Sequence, residues 1–363
     1  MINASLLPPN STAFERALEA AGDYGSLVSA AITEIHGIKY VRPLNSTVAP
    51  YLVQEYGLAP ISGYFGTVED LIDQGREWQR IRGTPRAIET ALGWIGYNAI
   101  TLEDQARRRR RWHLYQSDMG DLPGPDEGQR LADAEYLANI SDPARSEFFR
   151  GFHGHDVRAM RWGNGRFGKT MWGDSCGVRI NGGSVKWSHG RHHSVSLTAP
   201  IADWSYFGWN DELADMVSAS MTWSPVLSWL TPMLYWSGAA AEAAVKTWLL
   251  MRRQAHIVFR DGNGGPLGYA RVIRKPADNS AIASAPSVIY EIRTAFGDAA
   301  GKAAASVGVV YDLVSRADVK PFKAWLDPSE VHADSGIDAG QSPWSHAFQK
   351  TVREAVTLTF TVD

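Results

Sequence analysis

Apolar residues recur at helical spacing through the first part of the chain. After the extended Pro8–Pro9 entry, Asn10 or Ser11 can cap a helix through AFERALEAA that lines up Phe14, Ala17 and Leu18 on one side. Thr67 is an N-cap candidate for a second helix, with Val68, Leu71, Ile72, Trp78 and Ile81 on one stripe and a stop near Gly83. Thr84 and Pro85 then open a third helix, because a proline at the first helical position gives up no needed N–H; Ala87, Ile88, Ala91, Leu92 and Ile95 form its buried face and Gly96 ends it. The very short turn between these two helices predicts an αα-hairpin with facing apolar stripes.

The period changes beyond Phe152. CGVRI, SVKWS and HSVSLTA alternate between glycines, HIVFRD and LGYARVIRK flank the turn GNGG, and VTLTFTVD closes the chain as a strand. AAAEAAVKTWLLMRR, Ala239 to Arg253, is the one helix expected there. Between the two regimes lies a polar stretch broken by GDLPGPDEG, with room for one helix over DEGQRLADAEYLANI. The expected organisation is α+β: a helical domain over residues 1–115, a linker over 116–150, and a strand-rich mixed domain over 151–363.

Composition narrows the function. The 363 residues can bury the cores of two or three domains, and a formal net charge of −3 gives no overall basic surface for nucleic acid. The local run Arg107 to Arg111 reads either as a docking patch or as a solvated helix end. A single cysteine, Cys176, excludes an internal disulfide and thiolate-cluster metal sites and fits a reducing cytoplasm. The start of the sequence has no basic segment leading into an apolar run, so no signal peptide is expected. The most apolar window, Met221 to Trp236, is too short to span a bilayer and contains Pro225 and Pro232, so no membrane insertion is expected. The chain has 14 tryptophans, and the aromatic stretch holding Trp204, Trp209, Trp223, Trp229 and Trp236 reads either as a partner interface or as the domain's own core.

Three motifs suggest chemistry. Gly163 to Thr170, GNGRFGKT, fits the phosphate-loop pattern, but its flanks lack the buried strand and the long helix that such a loop needs; a glycine-rich turn is the reading. GDSCG fits the pattern of a serine nucleophile at Ser175, again without strand and helix around it. His153 and His155 would share one face of a strand and could ligate a metal together, with His189, His192 and His193 close by in sequence. No carboxylate or further histidine completes a recognised zinc set, so the expectation is no catalytic residue, no cofactor and no metal site.

LLPPNSTAFERALEAA (6–21), RPLNSTVAPYLVQEYGL (42–58) and IRGTPRAIETALGWIGY (81–97) together resemble the phage tail protein I family, a baseplate component of contractile-tailed phages. The middle segment departs from it, with Tyr51 and Tyr56 where the family carries tryptophan. The resemblance implies a non-enzymatic wedge subunit of the tail baseplate, made and assembled in the host cytoplasm and located in the virion. Its implied partners are other wedge and hub proteins in a multi-copy hetero-oligomer, with a tail fibre as a further candidate and no nucleic acid. Two alternatives from other classes are a fibre-like receptor binder and a hydrolase in the second half.

Overall fold

The computed structural model describes residues 7–24, 42–103, 112–159, 174–199, 254–277 and 287–362, with a few isolated positions between. The chain divides into two compact units, Met1–Arg82 and Gly83–Asp363. The fold class is α+β, helical in the N-terminal part and dominated by strands beyond it.

Helices of the first unit include α1 (Ala13–Gly22), α2 (Ala49–Glu55) and α3 (Val68–Ile81). The N-cap of α1 is Thr12, one residue beyond the expected Ser11, because Glu15 lies three residues further on and completes a reciprocal capping box. Thr67 caps α3 as predicted, and Leu71, Ile72, Gly75 and Trp78 form its buried face. Gly75 is needed there, since a Cβ would fall 2.7 Å from the Leu58 side chain and 3.4 Å from that of Ile61. The proline-rich turn is tied to α3 by an Arg42–Asp73 ion pair and by Leu44 N–H donating to Glu69 at 2.7 Å.

In the second unit, α4 (Pro85–Trp94) is followed by β1 (Ile100–Glu103), β2 (Leu114–Asp118), α5 (Glu127–Ser141), β3 (Glu147–His153) and β4 (Lys186–Ala199). After them come β5 (Ala255–Arg260), β6 (Pro266–Arg271), β7 (Ile273–Pro276), β8 (Ser287–Arg293), β9 (Ala303–Tyr311), β10 (Trp325–Leu326), β11 (Ile337–Ala347) and β12 (Val352–Val362). They build a seven-stranded sheet in the order β1-β2-β3-β4-β12-β8-β7 and a five-stranded sheet in the order β10-β6-β5-β9-β11. The first sheet is mixed: β2, β3, β4 and β12 run parallel, and antiparallel pairs close both edges. All pairs in the second are antiparallel.

The two ends of the large sheet are covered differently. Over β2 and β3 lie α4 and α5, in one core with Ile88, Leu92, Tyr115, Leu131, Phe148 and Trp187. Further along, β4, β12 and β8 face the small sheet through Leu197, Val356, Leu358, Phe360 and Tyr290 against Ile257, Phe259, Val307 and Val309. A hydrogen bond between the Tyr290 and Tyr311 hydroxyls joins this inner layer. The outer face of the small sheet is covered as well, with Val258, Val310, Leu313, Leu326 and Val331 clustered there. Burial on both faces explains why β5 reads as an almost continuous apolar run instead of alternating.

The stripe of α4 packs within the second unit, on α5 and the sheet. One sequence expectation changes. Residues 116–150 are not a linker. They contain most of β2, the start of β3 and the expected helix α5, which is the crossover between these two parallel strands. The proline- and glycine-rich segment is only the short connection from β2 into α5.

Candidate functional site

The first candidate is α1. Its capping box is complete: Thr12 Oγ1 accepts from Glu15 N–H at 3.3 Å, and Glu15 Oε2 accepts from Thr12 N–H at 2.6 Å. That backbone hydrogen bond holds the Glu15 carboxyl below its ordinary pKa. Yet the helix buries no residue, and Phe14 and Leu18 stand 74% and 64% exposed on the side that the sequence predicts to be covered. α1 is specified locally by its cap, and its apolar face stands exposed.

The second candidate is a buried polar cluster between the sheets. Along β4 the odd positions Arg191, His193, Val195, Leu197 and Ala199 turn inward, and along β12 the even positions Val352 to Phe360 do the same. Parallel pairing sets Glu354 beside Arg191 and Val356 beside His193, so Glu354 and His193 share the interior face. From the small sheet, β11 brings His346 to the same place. His193 Nε2 lies 3.0 Å from Glu354 Oε2, and His346 Nε2 lies 3.0 Å from Glu354 Oε1. Arg191 stands 3.4 Å from Oε1 and donates to Gln349 Oε1 at 3.0 Å. Trp344 stacks on His346 with ring centroids 4.6 Å apart and meets His193 edge-on at 5.1 Å.

The Glu354 side chain is 1% exposed and that of His346 4%. Burial pushes the Glu354 carboxyl up, but the His193 hydrogen bond, the nearness of His346 and the charge of Arg191 more than reverse this and hold it at about 2. The two histidines are not equivalent. His193 makes a directed hydrogen bond to Oε2, whereas His346 Nε2 and Glu354 Oε1, equally close, are not aligned for one and have no other hydrogen-bond partner.

The residues singled out from sequence are dispersed. His153 ends β3 and pairs with Asp118 at 3.0 Å; Gly154 then takes a φ of 70° and breaks the strand, so His155 turns elsewhere, to within 3.1 Å of Arg353. The pair expected on one face is therefore split. His189 is buried against Thr351 at 3.1 Å, and His192 faces outward to Thr357. Of that group only His193 enters the cluster. Its partners His346 and Glu354 are more than 150 residues away, and no local motif links them; the shared inward register of β4 and β12 is what brings them together.

Cys176 of GDSCG is buried, with its Sγ near Ser188 Oγ at 3.0 Å and receiving a hydrogen bond from the fully buried Arg150 at 3.2 Å. No helix follows Ser175 among the described residues up to Ala199, so the nucleophile pattern lacks its required setting. Arg107 to Arg111, the stretch Gly163 to Thr170, the five tryptophans from Trp204 to Trp236 and the helix expected over Ala239 to Arg253 lie outside the described residues. No helix among the described residues is long and apolar enough to cross a membrane.

No curated protein matches the chain. Residues 7–144 match the family model described as phage tail protein (Tail_P2_I), a segment that takes in α1 to α5 together with β1 and β2. Over that segment the chain is similar to the phage tail protein I family, a likeness that supports a structural role in a phage tail.

Proposed function

We propose that the protein is a baseplate wedge subunit that acts by binding, joining neighbouring tail subunits through its N-terminal part and carrying a fibre or other peripheral protein on its second half. The observation that carries this reading is α1: it falls inside the family match, is capped by its own sequence, and leaves Phe14 and Leu18 in solvent. In this reading α1 docks on another tail protein, the exposed apolar face supplying the contact. The partner-specific half is the one beyond the match, where Trp204, Trp209, Trp223, Trp229 and Trp236 are the interface residues we favour. No catalytic group is needed.

The test is co-assembly. Phe14→Glu combined with Leu18→Glu alters two residues that the protein's own core does not use, so the circular dichroism and unfolding midpoint should match the wild type. Co-purification with the other tail proteins should fall sharply. Undiminished assembly of the double variant would remove α1 from the interface.

A further inference from the structure

The geometry points to a metal site: we propose that His193, His346 and Glu354 bind a divalent transition metal, zinc by the chemistry of the ligands, and that the ion fastens the two sheets of the sandwich together. Each residue offers one ligand atom, and these atoms all lie within 4.8 Å of one another. Two imidazoles and a carboxylate are a zinc donor set, whereas magnesium and calcium take oxygen ligands. Around a tetrahedral zinc the ligand atoms stand roughly 3.3 Å apart, given metal–ligand distances of about 2.0–2.2 Å. The two histidine–carboxylate separations of 3.0 Å are already close to that.

The decisive feature is the pair of atoms without hydrogen bonds. His346 Nε2 and Glu354 Oε1 are both buried and face each other 3.0 Å apart as an ion pair, without the alignment of a hydrogen bond. Leaving two such atoms without an aligned hydrogen bond in a well-packed core is costly. A cation that takes a lone pair from each satisfies both at once.

The surroundings match a metal's outer shell. Trp344 fixes the plane of His346 by stacking, and Arg191 lies 3.4 Å from Glu354 Oε1, where it supports a ligating carboxylate without replacing a ligand. His193 and Glu354 belong to the large sheet and His346 to the small one, so a shared ion bridges the two layers. That role is structural and independent of which protein docks on the chain.

The experiment uses the full-length, tag-free protein, stripped with a chelator and dialysed against zinc or cobalt(II). Elemental analysis should find about one tightly held zinc per chain, and cobalt should give the strong visible absorption of a four-coordinate site. Zinc should raise the thermal midpoint. His346→Gln and Glu354→Gln should each weaken binding by more than about 100-fold, beyond the usual effect of losing an outer-shell partner, and abolish the thermal shift. His193→Gln should do the same while retaining an amide that can hydrogen-bond Glu354, which makes it the variant of choice if the fully buried ones fail to fold. His192→Gln, on the outer face of the same strand, should bind like the wild type. Absence of stoichiometric zinc in the wild type, weak octahedral cobalt bands alone, or undiminished binding in His193→Gln would overturn the proposal.

Discussion

Replacing Gly151 with alanine should destabilise the protein, although an alanine normally suits a strand better than a glycine. Gly151 lies in β3 directly opposite Trp187 of β4. A Cβ at Gly151 would fall 2.3 Å from Trp187 Cζ3 and 2.6 Å from Cε3, more than an ångström inside ordinary contact. The indole has nowhere to go: Trp187 is fully buried, Phe148 meets it edge-on at 5.7 Å, and His189 stacks on it at 6.1 Å. Relieving the overlap requires repacking a filled core, which costs about 1–3 kcal/mol. With open space the same change would stabilise by roughly 0.5–1 kcal/mol, through the smaller entropy loss on folding.

Gly93 provides that contrast. It sits near the end of α4 with nothing within 4 Å of its would-be Cβ, so Gly93→Ala should gain about 0.5–1 kcal/mol. The assay is urea unfolding of the full chain followed by circular dichroism. Trp187→Phe, which removes the ring that the new methyl strikes, should be costly alone but less so beside Gly151→Ala, giving a coupling of about 1–3 kcal/mol. A Gly151→Ala protein as stable as the wild type, or strict additivity in that cycle, would refute the steric account.

Two further outcomes follow from burial. Leu92→Ala empties a fully buried position in the core shared by α4, α5 and the sheet and should cost about 2–5 kcal/mol, and a loss below 1 kcal/mol in thermal unfolding would mean that the site collapses freely. In chelator-containing buffer, stability should be flat above pH 7 and fall with acid in two stages, read as the urea midpoint against pH. Burial holds His155 at about 4, His189 at about 3 and His256 at about 4, so the unfolded chain takes up these protons first, and their contribution is lost as pH drops from about 6.5 towards 3. Glu354, held at about 2, adds a second loss below about 4.5. A midpoint that rises between pH 7 and pH 5 would contradict this.

Elements set by neighbours in sequence are readable from it. Thr67, Thr84 and Pro85 begin their helices as expected, and the alternation of HSVSLTA and VTLTFTV lies within β4 and β12. Partnership is harder to read. The stripe Ala87, Ile88, Ala91 and Leu92 is buried as predicted, but a stripe does not specify its partner, and the core that Ile88 and Leu92 join, with α5 and the sheet, is not announced by it. Strands β2 and β3 are short and carry polar residues such as Gln116 and Arg150 that are nevertheless buried. Arg150 Nη1 is paired with Asp156 at 2.7 Å and Gln116 at 3.1 Å, so a charge that looks like linker is part of the interior. The metal candidate fails to appear in sequence for the same reason. Its ligands come from three strands and two sheets, and only pairing places them together.

The topology also determines whether the matched segment can be cut from the rest of the chain. The family match ends at residue 144, three residues before β3 begins, yet β2 inside the match pairs with β3 outside it. α5, also inside the match, reaches the far end of the chain: Glu127 accepts hydrogen bonds from the backbone N–H of Lys350 at 2.9 Å and of Thr351 at 2.7 Å, at the entry to β12. Thr351 in turn meets His189 of β4, and β4 pairs with β12 along its length. Cutting between 116 and 150 therefore divides one sheet, splits the core around Trp187, and leaves both fragments with unpaired strand edges. Loss of tail binding by such fragments would report misfolding rather than a missing interface. Substitutions confined to surface residues such as Phe14 and Leu18 leave that sheet intact, and for this reason they, rather than truncation, can assign contacts to either half.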